Sequence, residues 1–153
     1  MANDKLEIRS LFFEDLSLGL SESMSHTITD ADIKGFAELS GDRNPIHLSE
    51  EFAAKTFLKT RIAHGIYTAS FISALIGMRL PGPGAIYISQ SLFFRAPVRL
   101  GDTVTAKVEV VELLAEKCRA RLACACKVGD EVVLEGEAWV KVPSRLPRPE
   151  KAA

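Results

Sequence analysis

The sequence predicts an α+β fold in which an antiparallel sheet wraps around one long central apolar helix, with an added helical segment that carries an Asp/His motif. Three observations predict it. Residues 66–80 hold Ile66, Tyr67, Ala69, Phe71, Ile72, Ala74, Leu75, Ile76 and Met78, so a helix of about four turns here is apolar on nearly every side. Such a helix must be buried on every side, and a curled sheet would bury it. Downstream, four stretches alternate apolar and polar residues with the period of two that marks half-buried strands. Upstream, two helical patterns flank the segment Gly41-Asp-Arg-Asn-Pro-Ile-His47.

Taken in order, residues 1–20 give weak signals and read as an entry segment. Residues 21–28 form a candidate first strand, with Met24, His26 and Ile28 alternating against polar neighbours; His26 reads as a strand-surface histidine. Thr29 is placed as a helix N-cap, with Asp30 and Asp32 in the first turn, where the helix dipole favours negative charge. Ile33, Phe36, Ala37 and Leu39 give that helix one buried face, and Ser40-Gly41 ends it. Ser49 caps a second, short helix carrying Phe52, Ala53 and Phe57. The long helix is stopped by Pro81-Gly-Pro-Gly84. The strand stretches are residues 85–95, 102–112, 118–128 and 131–142, with turns at Gly101-Asp102 and Gly129-Asp130. Short links between four successive strands predict an antiparallel meander. One domain spans residues 1–142, and the Arg- and Pro-rich residues 143–153 read as a loose tail.

Composition narrows the function classes. At 153 residues, 47% hydrophobic, 25% charged and net charge −1, the chain is a single soluble globular domain. It has no basic excess for nucleic acid and no charge block for an interaction tail. The apolar stretch 62–80 is interrupted by His64, Gly65, Ser70, Ser73 and Arg79, which argues against a membrane span. The first residues are too polar for a signal peptide. Cys118, Cys124 and Cys126 are odd in number and lack a following histidine at zinc-ligand spacing. They read as reduced core residues of a cytoplasmic protein, with a redox or metal role as the alternative.

Asp42 and His47 carry the chemistry. Five residues apart, they would point roughly 140° from each other on a continuous helix, and to opposite faces of a strand. Pro45 pushes Asn44 away from the helical region, so a bend is expected that brings a carboxylate and an imidazole to one point. Such a pair can hold a water and pass protons to and from a substrate. A capping aspartate beside a surface histidine in an ordinary loop is the other reading these residues allow.

In order along the chain come Asp42-Arg-Asn-Pro-Ile-His47, Ala63-His-Gly65, Pro81-Gly-Pro-Gly84, Ser89-Gln-Ser-Leu92, Pro97-Val98 and Gly101-Asp102. Together they resemble the MaoC-like hydratases of the hot-dog fold, and most closely the (R)-specific enoyl-CoA hydratases that feed polyhydroxyalkanoate synthesis. The resemblance covers residues 21–142. It implies reversible addition of water to a trans-2-enoyl-CoA to give the (R)-3-hydroxyacyl-CoA. No metal and no organic cofactor is implied, CoA entering as part of the substrate.

The resemblance further implies a catalytic dyad of Asp42 and His47, with the backbone N–H of Gly65 as oxyanion donor at the start of the long helix. It places Ser73 near the catalytic water. Asn44, His64, Ser73 and Ile76 are the expected substrate-binding residues, with Asn44 also able to act as a plain turn former and His64 as an orienter of the loop. A homodimer with sheets joined edge to edge and active sites near the interface is expected. Ser70, Ser73 and Gly77 form a small-residue stripe, which either packs against the sheet or leaves room for an acyl chain. Lys59, Arg61, Arg95 and Arg99 are candidates for the CoA phosphates, or else ordinary solvated charges. A metal held by Asp42, His47 and His64 is conceivable by residue type but is not the reading adopted. The alternatives are a 3-hydroxyacyl-carrier-protein dehydratase, a thioesterase of the same fold, and a catalytically idle acyl-binding subunit. The last would be expected to lack the dyad.

Overall fold

A computed structural model describes residues 5–147. Strand β1 (Ser21–Thr27) leads into helix α1 (Asp30–Ser40), two short helices α2 (Pro45–Leu48) and α3 (Glu50–Ala54), and the long helix α4 (Gly65–Met78). Strands β2 (Ile86–Gln90), β3 (Phe93–Phe94), β4 (Thr103–Leu114), β5 (Arg119–Val128) and β6 (Glu131–Lys141) follow. All pairings are antiparallel, in the order β1-β4-β5-β6-β2, with β3 also on β6. The sheet curls around α4, which packs against β1, β4, β5 and β6.

The helix-in-sheet architecture is the expected one, but the strand order corrects the meander. The predicted strand 85–95 is two pieces, and both pair with β6 rather than with β4. The reason is geometric. A strand has two edges, and those of β4 are taken by β1 and β5. Of the two edges then left, the outer one of β1 and that of β6, the chain leaving α4 takes β6, so a true meander runs only through β4, β5 and β6.

Alternation in the strands buries one face. In β4, Val104, Ala106, Val108 and Val110 point inward, and in β5 Ala120, Leu122, Cys124 and Cys126 do the same. Against them lie Phe71, Ile72, Leu75 and Ile76 of α4, with Ile72 and Leu75 fully buried. Truncating Leu75 to Ala would leave a cavity in this core, and unfolding in urea is expected to show a loss of about 2–5 kcal/mol.

The long helix is not covered all round. Ile66 is 57% exposed, and Ser70, Ser73 and Gly77, at helical spacing from it, are exposed too. The small-residue stripe therefore faces away from the sheet. Leu39, assigned to the buried face of α1, is 90% exposed. Only Ile33 and Ala37 of that helix are fully buried, because α1 lies on the rim rather than in the core.

Residues 143–145 are docked on the entry segment. Pro143 accepts a backbone hydrogen bond from Phe13, Ser144 bonds Glu14, and Arg145 forms a two-point ion pair with Asp15 while stacking over Phe12. Residues 148–153 of the Pro/Arg-rich segment lie outside the described residues. Among the described residues, no helix is long and apolar enough to cross a membrane.

Candidate active site

The bend at residues 41–47 is built by caps. Thr29 starts α1 with a reciprocal capping box, its hydroxyl accepting from Asp32 N–H while Asp32 accepts from Thr29 N–H. Gly41 ends α1 in the left-handed region, φ 79°, which glycine adopts without a Cβ penalty. Asp42 emerges directly after. Its carboxylate accepts the N–H of Asn44 at 3.1 Å, and Asn44 in turn caps α2 by accepting the N–H of Ile46 at 3.1 Å. Pro45 opens α2 at its first position, where the missing N–H costs nothing. The expected loop is thus one helical turn, and His47 rides on it.

That turn brings Asp42 and His47 together. His47 Nε2 lies 3.9 Å from Asp42 Oδ2. His47 is 8% exposed, and its Nδ1 is 2.8 Å from the carbonyl of Ile62. A carbonyl only accepts, so Nδ1 carries the proton and Nε2 presents a lone pair to Asp42 in the neutral ring. Burial pushes the His47 pKa below its usual value and neighbouring His64 pushes it further down, against the opposing pulls of the Ile62 carbonyl and Asp42. Two acceptors 3.9 Å apart cannot bond each other, but a water about 2.8 Å from each could donate to both.

His64 completes this wall. It is 2% exposed, its Nε2–H donates to the backbone carbonyl of Asp42 at 2.9 Å, and its ring stacks on His47 at 3.8 Å. It thereby ties the Asp42 loop to the segment that leads into α4. Asp42, His47 and His64 offer ligand atoms within 4.8 Å of one another. Zinc at about 2.0–2.2 Å from each ligand needs lone pairs that converge. One nitrogen of each ring is already bonded to a backbone carbonyl, His47 Nδ1 to Ile62 and His64 Nε2 to Asp42, and we assign no metal to the cluster.

Gly65 is the first residue of α4, where the leading N–H groups have no partner within the helix. It lines a cleft of ≈ 520 Å³ with Ile62, Thr68, Phe94, Val98 and Leu134. A Cβ on Gly65 would meet the Phe94 ring at 2.5 Å, so a side chain here would require the half-exposed Phe94 ring to move. Inside the cleft wall, Thr68 is 2% exposed and its hydroxyl has no protein partner.

Other expected positions fall elsewhere. Ser73 is exposed on α4 eight residues beyond Gly65, about 12 Å along the axis at the usual rise. Ile76 is 2% exposed, in the core. Neither lines the cleft, and of the expected site residues Gly65 alone does, Asp42, Asn44, His47 and His64 lying outside its wall. Of the four cations considered for phosphates, Arg61 is buried and bonded inside the protein, Arg99 donates to the Leu58 carbonyl and Arg95 pairs with Glu135. Lys59 is exposed and follows the cleft-lining Leu58 in sequence. His26 is not a strand-surface residue: it bonds Asp32 at 2.9 Å and Tyr67 at 3.3 Å, tying β1 to α1 and α4. Sequence reasoning missed the Ile62 carbonyl and the inward turn of Arg61. Backbone acceptors leave no trace in sequence, and the one hint for Arg61 was its apolar neighbours Ile62 and Ala63.

Known proteins resemble this chain in sequence and fold. Residues 19–131 match the family model described as MaoC like domain. The chain is 66% identical to a 3-hydroxybutyryl-CoA dehydratase of Methylorubrum extorquens over 91% of this chain and 88% of that protein. It is 55% identical to an (R)-specific enoyl-CoA hydratase of Rhodospirillum rubrum, over 88% and 93% of the two chains. Among solved structures, the unliganded (R)-hydratase from Pseudomonas aeruginosa superposes with a TM-score of 0.86 at 37% identity, covering 95% of this chain and 96% of that one.

Proposed function

The chain belongs to the MaoC-like family of hot-dog hydro-lyases, and from that premise we propose that it is an (R)-specific enoyl-CoA hydratase working through Asp42, His47 and Gly65. It adds water reversibly across the double bond of a trans-2-enoyl-CoA. The observation that carries this reading is the pair of facing acceptors, His47 Nε2 and Asp42 Oδ2, 3.9 Å apart. They suit one water that donates a hydrogen bond to each, which leaves its oxygen lone pairs free to attack.

The steps follow from that placement. The thioester carbonyl accepts a hydrogen bond from Gly65 N–H, at the positive end of α4. Water's oxygen bonds to C3 as the dyad removes one of its protons. The π electrons shift to C2 and onto the carbonyl oxygen, where Gly65 N–H stabilises the charge. The dyad then delivers a proton to C2. One proton is taken and one returned, so no redox partner is needed, and the reading requires no metal or organic cofactor. Water and proton come from one side of the alkene, which gives syn addition and a single product hand. Asn44 and His64 hold the loop that carries Asp42. Ser73 and Ile76, which lie outside the cleft, take no part in these steps.

Purified protein mixed with crotonyl-CoA is expected to bleach the enoyl-thioester absorbance, and a stereospecific dehydrogenase should read the product as (R). No turnover of crotonyl or longer enoyl-CoAs would sink the reading.

A homodimer fits the same surface. Strand β2 ends the sheet and exposes Ile86 at 61% and Ile88 at 43%, an apolar edge of the kind that recruits another strand. Sedimentation is expected to show a dimer, and Ile88→Lys to shift it toward monomer. A cytoplasmic location is consistent with three buried, unpaired cysteines, since reducing compartments keep thiols free.

A further inference from the structure

Arg61 is a buried cation outside the reacting groups. It is 8% exposed, and an unpaired charge at such depth would be costly. Two bonds account for it. Its Nε–H donates to the backbone carbonyl of His47 at 2.6 Å, and its Nη2–H to Asp30 Oδ1 at 2.8 Å. Asp30 is the first residue of α1, and Asp42 follows the last turn of that same helix. Arg61 therefore joins the helix that delivers Asp42 to the turn that delivers His47.

Its neighbours reinforce the clamp. The Ile62 carbonyl holds the His47 ring, Ile62 N–H reaches the Ile46 carbonyl at 3.4 Å, and His64 holds the Asp42 carbonyl. Ala63 N–H is bonded in turn to Val98 at 2.7 Å, anchoring the whole segment to the strand side of the molecule. Among these bonds, Arg61 alone spans both α1 and α2. A lysine could satisfy one of its partners but lacks the planar fork that reaches both.

We propose that Arg61, through Asp30, is a positioning residue that sets the gap between Asp42 and His47, rather than a cation for the CoA phosphates. The inference rests on the dyad assigned above. The arrangement predicts a defect in turnover and not in binding. Misplacing a reacting group by about 1 Å can cost roughly 10²-fold in rate.

The test compares wild type, Arg61→Ala and Arg61→Lys with crotonyl-CoA, checking each for folding by circular dichroism. In Arg61→Ala, kcat is expected to fall by about 30–100-fold with KM within about threefold. Guanidinium at a sub-denaturing concentration should restore part of it, and Arg61→Lys should fall in between. Ring NMR of His47, one of three histidines, should show its titration moving up toward the ordinary range in Arg61→Ala as water reaches the loosened ring. A folded Arg61→Ala protein with wild-type kcat and an unmoved His47 titration would overturn the proposal. So would a rise in KM alone, which is the signature of a lost phosphate contact. If wild type proves inactive, the hydratase reading fails, while the NMR comparison still decides whether Arg61 sets the His47 environment.

Discussion

His47→Ala is expected to lower kcat on crotonyl-CoA by about 10²–10⁴-fold, the usual contribution of a positioned acid or base. The loss should fall mainly on kcat, because the ring contacts the water rather than the thioester. Asp42→Asn keeps the shape and the Asn44 N–H bond but removes the negative charge, so a comparable loss there would tie the charge to the chemistry. The pH profile provides a second reading. His47 must be neutral to accept a proton, and burial holds its pKa below the ordinary histidine value. The acid limb of kcat/KM is therefore expected below about pH 6.5 and should vanish in His47→Ala. The same shift has a stability sign. Below about pH 6.5 the unfolded chain binds a proton that the folded ring still refuses. Stability is thus lost as pH falls from there through the depressed folded-state value.

Gly65→Pro is the second large effect, and it separates donor from helix. Proline is favoured at the first position of a helix. His64, before it, already has φ −60° and ψ 130°, the extended conformation that a following proline requires. The backbone can accept the change, but the ring would strike Phe94, whose Cε1 lies 2.5 Å from where a Cβ would stand. The experiment is therefore best made in a Phe94→Ala background. There, Gly65→Pro is expected to cut kcat by about 10²–10³-fold through loss of one oxyanion donor, with the urea midpoint close to that of Phe94→Ala alone. A double variant as active as its parent would remove Gly65 N–H from the mechanism.

The elements that periodicity decides were legible in the sequence. The apolar run of α4, the alternation in β4 and β5, and the Thr29 and Gly41 boundaries of α1 are local signals, and the structure has them where expected, whereas in β6 the alternation slips and buries Val133 and Leu134 in succession. Asp42 and His47 were legible as residue types in a bend. What the sequence could not carry was edge occupancy. Nothing local says that β1 already fills one side of β4, which sends β2 and β3 to β6. Leu39 misled for a geometric reason: at the usual helical pitch it points about 140° away from the midpoint of Ile33 and Ala37, onto the exposed side of α1. Arg61 was misassigned because charge alone cannot tell an inward guanidinium from a solvated one.

The sheet order has a kinetic consequence. β4, β5 and β6 are joined by short reversals, whereas β1 meets β4 through pairs such as Ser21 with Glu109. Closing so long a loop precedes any reward from its contacts, so non-local pairings form slowly. The hairpins can therefore assemble first, with β1, α1 and α2 swinging in afterwards. Since α1 and α2 carry Asp42 and His47, refolding protein should regain its strand signal before it regains turnover. During that lag it would be a nearly complete barrel-like shell without chemistry, exposing the β4 edge that β1 later seals. Aggregation during refolding should accordingly be most severe in variants that slow the docking of β1.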